Sequence, residues 1–154
     1  MTTGRWLVAL QGLLFLLVAV TAFLPGPTLF SSLVVGLACV VVGAAVVLWT
    51  GRALGASLTP NPSPNGAGMV ASGPYRFARH PMYSGLVVIC LGVAVGAGVV
   101  WCYLAVLVLA GFFAVKARVE ERALVSAYPG YAEYGAGVGR FVPGIGRLRG
   151  FSTE

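Results

Sequence analysis

The run "SGLVVICLGVAVGAGVVWCYLAVLVLAGFFAV", Ser84 to Val115, decides the fold because it carries no charged side chain. As one helix rising about 1.5 Å per residue it would reach roughly 48 Å, well beyond a hydrocarbon core of about 30 Å. Gly96-Ala97-Gly98 lies near its middle and offers a turn. The run is therefore expected to double back as a hairpin of two helices, about residues 83–97 and 99–116. A single long tilted helix is the competing reading.

Two further uncharged runs precede it, Trp6 to Leu24 and Leu29 to Thr50. Each is about the roughly 20 residues that a bilayer crossing needs. Only 9% of the 154 residues are charged and 58% are hydrophobic, whereas ordinary soluble domains carry roughly 25% charge. So few charges cannot cover a water-soluble fold of this size. The expectation is an all-α, polytopic membrane bundle: one domain over residues 1–154, with four spans and the last two as a tight hairpin.

The charges orient it. With four spans, Pro25-Gly26-Pro27 and Gly96-Ala97-Gly98 share one side and carry no charge. The N-terminus, the loop 51–82 and the tail 117–154 share the other. All ten basic residues fall there: Arg5, Arg52, Arg76, Arg79, Lys116, Arg118, Arg122, Arg140, Arg147 and Arg149. The positive-inside rule makes that face cytoplasmic, with both termini inside and the inner membrane of a bacterium as the expected location. A three-span fold would send the basic tail to the other side.

The net charge of +6 is accounted for by a basic face beside anionic lipid, which makes membrane lipids the expected partners and removes the case for nucleic acid. The first span is long for a cleaved signal peptide. Cys39, Cys90 and Cys102 lie in apolar runs without a Cys-x-x-Cys pair, so metal and redox readings fail. Gly92 and Gly96 form a small-xxx-small pair suited to close helix approach.

Chemistry concentrates just before the hairpin, in "SGPYRFARHPMYSG", Ser72 to Gly85. Pro81 suits the first position of a helix, with His80 at its cap. Free backbone N–H groups there, with Arg76, Arg79 and His80, make a place for a negative group. A plain juxtamembrane anchor is the simpler alternative. Beyond the fourth span the helical pattern continues through "KARVEER", Lys116 to Arg122. Folding near residue 97 sets residues 83 and 112 level, so Glu120 and Glu121 stand roughly 12 Å farther out, facing the basic loop. Adjacent helical residues point about 100° apart, so one glutamate is expected to face the cleft. The tail adds Tyr128, Tyr131, Tyr134 and Arg140.

Together "GPYRFARHPMYSG" and "VEERALVSAYPGYAEYGAGVGRFVPG" resemble the isoprenylcysteine carboxyl methyltransferases and their phospholipid-methyltransferase-like bacterial relatives. "LGASLTPNPSPNGAGMVASGPYR" resembles the approach loop of the bacterial members. The likeness covers roughly Gly51 to Gly146; the first two spans carry no diagnostic residue. It implies an integral membrane enzyme that uses S-adenosylmethionine. It places Tyr75, His80, Pro81, Tyr83, Gly85, Glu120, Glu121, Tyr131, Tyr134 and Arg140 in the site.

The residue chemistry is compatible with that cofactor. The helix cap with Arg79 and His80 suits a carboxylate. A glutamate suits the ammonium or the ribose hydroxyls, and tyrosine suits the adenine. Arg140 is expected to orient an acceptor carboxylate, and Glu121 to serve as base for an amine acceptor. The expected reaction is methyl transfer to a lipophilic small molecule or lipid, with carboxylate O-methylation preferred. The alternatives are phospholipid amine N-methylation and a non-enzymatic lipid-binding module. The sequence departs in length from the animal and yeast members, which have extra N-terminal spans, so the resemblance carries the cofactor expectation further than any prenylated-protein substrate.

Overall fold

The computed structural model describes residues 2–57 and 68–148. The turn-rich segment Thr59 to Gly66 and Arg149 fall outside them. Five α-helices follow in order: α1 (Thr2–Thr21), α2 (Leu33–Leu54), α3 (Pro81–Ala97), α4 (Val100–Ala127) and α5 (Tyr131–Gly137). Two short 3₁₀ turns, Gly55–Ser57 and Gly73–Arg76, flank the undescribed segment. The described residues hold no β-strand, only two isolated backbone bridges.

The expected double-back exists, and its local cause is visible. α3 ends on Gly98, whose φ of 72° places it in the left-handed region and whose N–H donates to Ala94 O at 2.8 Å. A side chain is barred there twice over, because an added Cβ would also lie 2.6 Å from the Ser31 Cβ. Val99 then opens α4. The α1–α2 link pairs with this turn: Leu29 N–H donates to Gly98 O (2.7 Å) and Val100 N–H to Pro27 O (2.9 Å). That pairing takes Leu29, expected to be helical, into the link, so α2 begins at Leu33 rather than Leu29; α1 stops at Thr21 rather than Leu24.

α1, α2 and α4 are long and apolar enough to cross a membrane. α3 is a shorter apolar helix of 17 residues, or about 26 Å at the helical rise. Side chains such as Trp6, Leu13, Phe23, Val34 and Leu107 stand exposed around the bundle. In water, each would forgo roughly 1.5–3 kcal/mol of burial; hydrocarbon removes that cost.

In lipid, helices associate by packing rather than by escape from water. α2 and α3 pack most tightly, through facing glycines. A Cβ at Gly92 would lie 2.6 Å from Gly36 O, and one at Gly43 would lie 2.6 Å from Gly85 O. The expected packing role holds for Gly92, whereas a Cβ at Gly96 would meet nothing within 4 Å; it is Gly36 whose missing side chain lets α2 approach the backbone of Gly92 and Gly96. Leu14 and Val18 of α1 meet Cys90 and Ala94 of α3 and Cys102, Ala105, Val106, Leu109 and Phe113 of α4. These pairs run antiparallel, so the start of α1, the end of α2, the start of α3 and the outer turns of α4 gather at one end. α4 runs about 42 Å, and its last turns carry the buried stripe beyond the apolar core.

Candidate functional site

The inward face of α4 passes from Leu109 and Phe113 to Lys116, Ala117 and Glu121 without a break, all buried at helical spacing. The same stripe that packs the apolar bundle thus becomes polar at one end. The tail closes over it by local backbone pairing. Ala78 and Gly139 form a parallel bridge, Arg79 N–H donates to Gly139 O (2.8 Å), and His80 N–H donates to Arg140 O (2.9 Å). Ser84 Oγ donates to Phe141 O at 2.7 Å. This register sets the Phe141 ring against His80, with centroids 5.9 Å apart.

Arg79 is the clamp of this closure. Its guanidinium is buried; Nε donates to Glu121 Oε1 (2.9 Å), Nη1 to Gly135 O (2.9 Å) and Val138 O, and Nη2 to Gly146 O (2.9 Å). Its donors are committed to protein acceptors. The expectation that Arg79 meets a ligand carboxylate therefore gives way to a structural tie between α4, α5 and the tail.

Glu121 also receives Arg140, with Nη2 to Oε2 at 2.7 Å and Nε to both oxygens at 3.1 Å. Glu120 accepts from the Tyr83 hydroxyl at 2.5 Å. His80 stands between the two carboxylates: Nδ1 is 3.6 Å from Glu120 Oε2 and Nε2 is 3.3 Å from Glu121 Oε1. Nε2 lacks hydrogen-bond alignment with that oxygen and has no hydrogen-bond partner although buried. Both glutamates therefore engage the cluster, contrary to the single one expected. Their partners wrap the α4 end over a wide arc, the arginines on one side and His80 with Tyr83 on the other.

An aromatic column fixes this arc. His80 stacks on Tyr83 with planes 1° apart and centroids at 5.5 Å, and Tyr83 stacks on Phe113 at 4.5 Å. The Tyr83–Phe113 contact matches the expected level of residues 83 and 112. Tyr83 then bridges outward to Glu120, so the carboxylates need not stand two turns away from it.

The remaining expected residues divide. Pro81 occupies the first turn of α3 and His80 its cap, without a side-chain cap bond. Tyr134 donates its hydroxyl to Tyr75 O, and Tyr131 packs edge-on against Tyr134. Burial pushes the phenol of Tyr134 up to about 12, and it raises those of Tyr75 and Tyr131 further; all three stay protonated donors at neutral pH. Gly85 lies elsewhere. A Cβ there would lie 2.9 Å from Val47 Cγ2 and 3.0 Å from Gly43 O, so Gly85 serves the α2–α3 contact. Ser84, Phe113 and the Gln11–Lys116 bond at 2.7 Å were not anticipated. Only the last carried a sequence signal, a glutamine inside an apolar run.

Comparison with known proteins agrees with the geometry in its coarse part. A 38% identical segment of 87 residues, 55% of this chain, is shared with the cobalt-zinc-cadmium resistance protein CzcN of Cupriavidus metallidurans. That segment spans 40% of the relative's length, so the match concerns a portion of that protein. The family model for phospholipid methyltransferase matches residues 31–130, which contain α2, α3 and the whole of α4 with Lys116, Glu120 and Glu121. With most of its length matched, and with an all-helical fold that ends in this buried polar cluster, the chain belongs to the phospholipid methyltransferase family.

Proposed function

We propose that this protein transfers a methyl group from S-adenosylmethionine to a lipophilic acceptor that enters from the bilayer, at the cytoplasmic face of a bacterial inner membrane. The reading includes four membrane spans with both termini inside, because that arrangement collects the basic residues on one face. The observation that carries it is the His80–Glu120–Glu121 cluster, buried at the end of an apolar bundle. The donor set suits the cofactor. Glu120 offers a carboxylate to an ammonium or ribose hydroxyls. His80 Nε2 is a buried polar atom without a hydrogen-bond partner, the state a ligand group relieves. Tyr75, Tyr131 and Tyr134 supply aromatic surface.

When bound, S-adenosylmethionine supplies an electrophilic methyl group on a sulfonium. The chain's own residues position and desolvate. Arg140 spends Nε and Nη2 on Glu121, and Nη1 has no partner among the described residues. Its side chain is partly exposed, so Nη1 is placed to orient an acceptor carboxylate. The Tyr83–Phe113 stack walls the site from the core and excludes water. A carboxylate acceptor needs alignment and no base.

A second reading, N-methylation of a phospholipid amine, is favoured by the family that residues 31–130 match. Glu120 is its better candidate base, because Glu121 is held by two guanidiniums. Membranes containing the protein, given tritiated S-adenosylmethionine, are expected to yield lipid-phase label that is released by mild base. Base-stable label would assign the amine reaction. Absence of label from lipid, with folded protein present, would overturn both.

A further inference from the structure

Lys116 is buried to 1% exposure within the bundle. An ammonium taken out of water is costly unless it is paired and hydrogen-bonded, and ionisable groups at membrane depth mark function by default. Its Nζ donates to Gln11 Oε1 of α1 at 2.7 Å, lies 4.0 Å from Glu120 Oε1 one turn along α4, and sits 5.4 Å from the Tyr83 ring centroid. The same Glu120 oxygen accepts from the Tyr83 hydroxyl. Gln11 therefore begins a polar chain that runs through Lys116 and Glu120 to His80. α1 joins this chain although it lies outside the residues matched by the family model.

We infer that Lys116 and Gln11 are positioning residues: Gln11 fixes the ammonium, and the ammonium holds the Glu120 carboxylate in its ligand-ready orientation. The inference rests on the cofactor reading of the cluster. The two carboxylates differ in how they are held. Glu121 is gripped by two guanidiniums in short hydrogen bonds. Glu120 has Tyr83 as its hydrogen-bond donor, with His80 and Lys116 at longer range. A carboxylate held this lightly can serve a ligand cation, and it depends on a nearby fixed charge for its placement.

The test is titration of the detergent-purified full chain with S-adenosylhomocysteine, alongside its melting temperature. Lys116→Met is expected to weaken affinity about tenfold and Gln11→Leu about threefold, with the double variant no weaker than Lys116→Met, as coupled neighbours behave. The exchange of Gln11→Lys with Lys116→Gln keeps an α1–α4 pair but removes the amine from the helix that carries Glu120. It is expected to restore the melting temperature and not the affinity. Wild-type affinity in Lys116→Met overturns the inference. So does wild-type affinity in Gln11→Leu, which decides the matter if the lysine variant fails to fold. An exchange variant that recovers affinity together with melting reduces the pair to helix packing and also overturns it. A folded wild-type chain that binds no S-adenosylhomocysteine overturns the cofactor reading itself, and the positioning role with it.

Discussion

Arg79→Met is expected to release the tail from the bundle and lower stability by about 3–5 kcal/mol, the usual cost of removing one partner of a buried ion pair. The side chain is sheathed by Glu121 and three carbonyl oxygens, from Gly135, Val138 and Gly146. Methionine fills much of the space and supplies no donor. Three carbonyls then lose their partner, and Glu121 keeps Arg140 alone among its guanidiniums. Arg79→Lys should rescue little, because one compact ammonium cannot serve acceptors spread around a planar fork. Limited proteolysis after residue 127, together with thermal unfolding in detergent, checks this. A tail that resists protease equally in Arg79→Met and wild type would show that the clamp is incidental.

Glu120→Gln is expected to act the other way, on the ligand rather than on the fold. The amide keeps an oxygen for the Tyr83 hydroxyl and preserves shape against His80. It loses the charge. A charged hydrogen bond to a ligand cation contributes about 2–3 kcal/mol, so affinity for S-adenosylhomocysteine should fall roughly 30- to 150-fold. Glu121→Gln is a poorer probe, since it leaves Arg79 and Arg140 without their shared counter-ion and disturbs the tail as well. Unchanged affinity in a folded Glu120→Gln protein would move the ligand cation elsewhere.

Much of this architecture could be read from local chemistry. Gly98 and Pro81 announce a turn and a helix start because each restricts or frees the backbone at its own position. The Glu120–Glu121 pair could be placed near the basic loop once the hairpin was folded, since helical rise is fixed. Long-range partnerships were not legible. Arg79 looked like a ligand contact because nothing near it in sequence declares that the carbonyls of Gly135, Val138 and Gly146 will converge on it. Gly85 looked like a site residue, yet its missing side chain is what lets α2 approach. Gln11 and Lys116 sit on α1 and α4, far apart in sequence. Their pairing emerges only from the antiparallel packing of α1 on α4. The expectation of a single inward glutamate failed because angular separation on a helix says nothing about how far around it the partners extend.

The same cluster explains why the described site needs both ends of the chain. α3 and α4 bring His80, Tyr83 and the glutamates together, the tail supplies Arg140, and α1 reaches the group through Lys116. None of these segments forms the site alone.

Calorimetric titration of the wild-type chain and of His80→Ala with S-adenosylhomocysteine tests the central claim most directly. The account predicts saturable binding at one site per chain in wild type and affinity at least tenfold weaker in the variant, read on protein that still melts cooperatively, since the lost ring also stacks on Tyr83. No binding by folded wild-type protein, or equal binding by both, would contradict it.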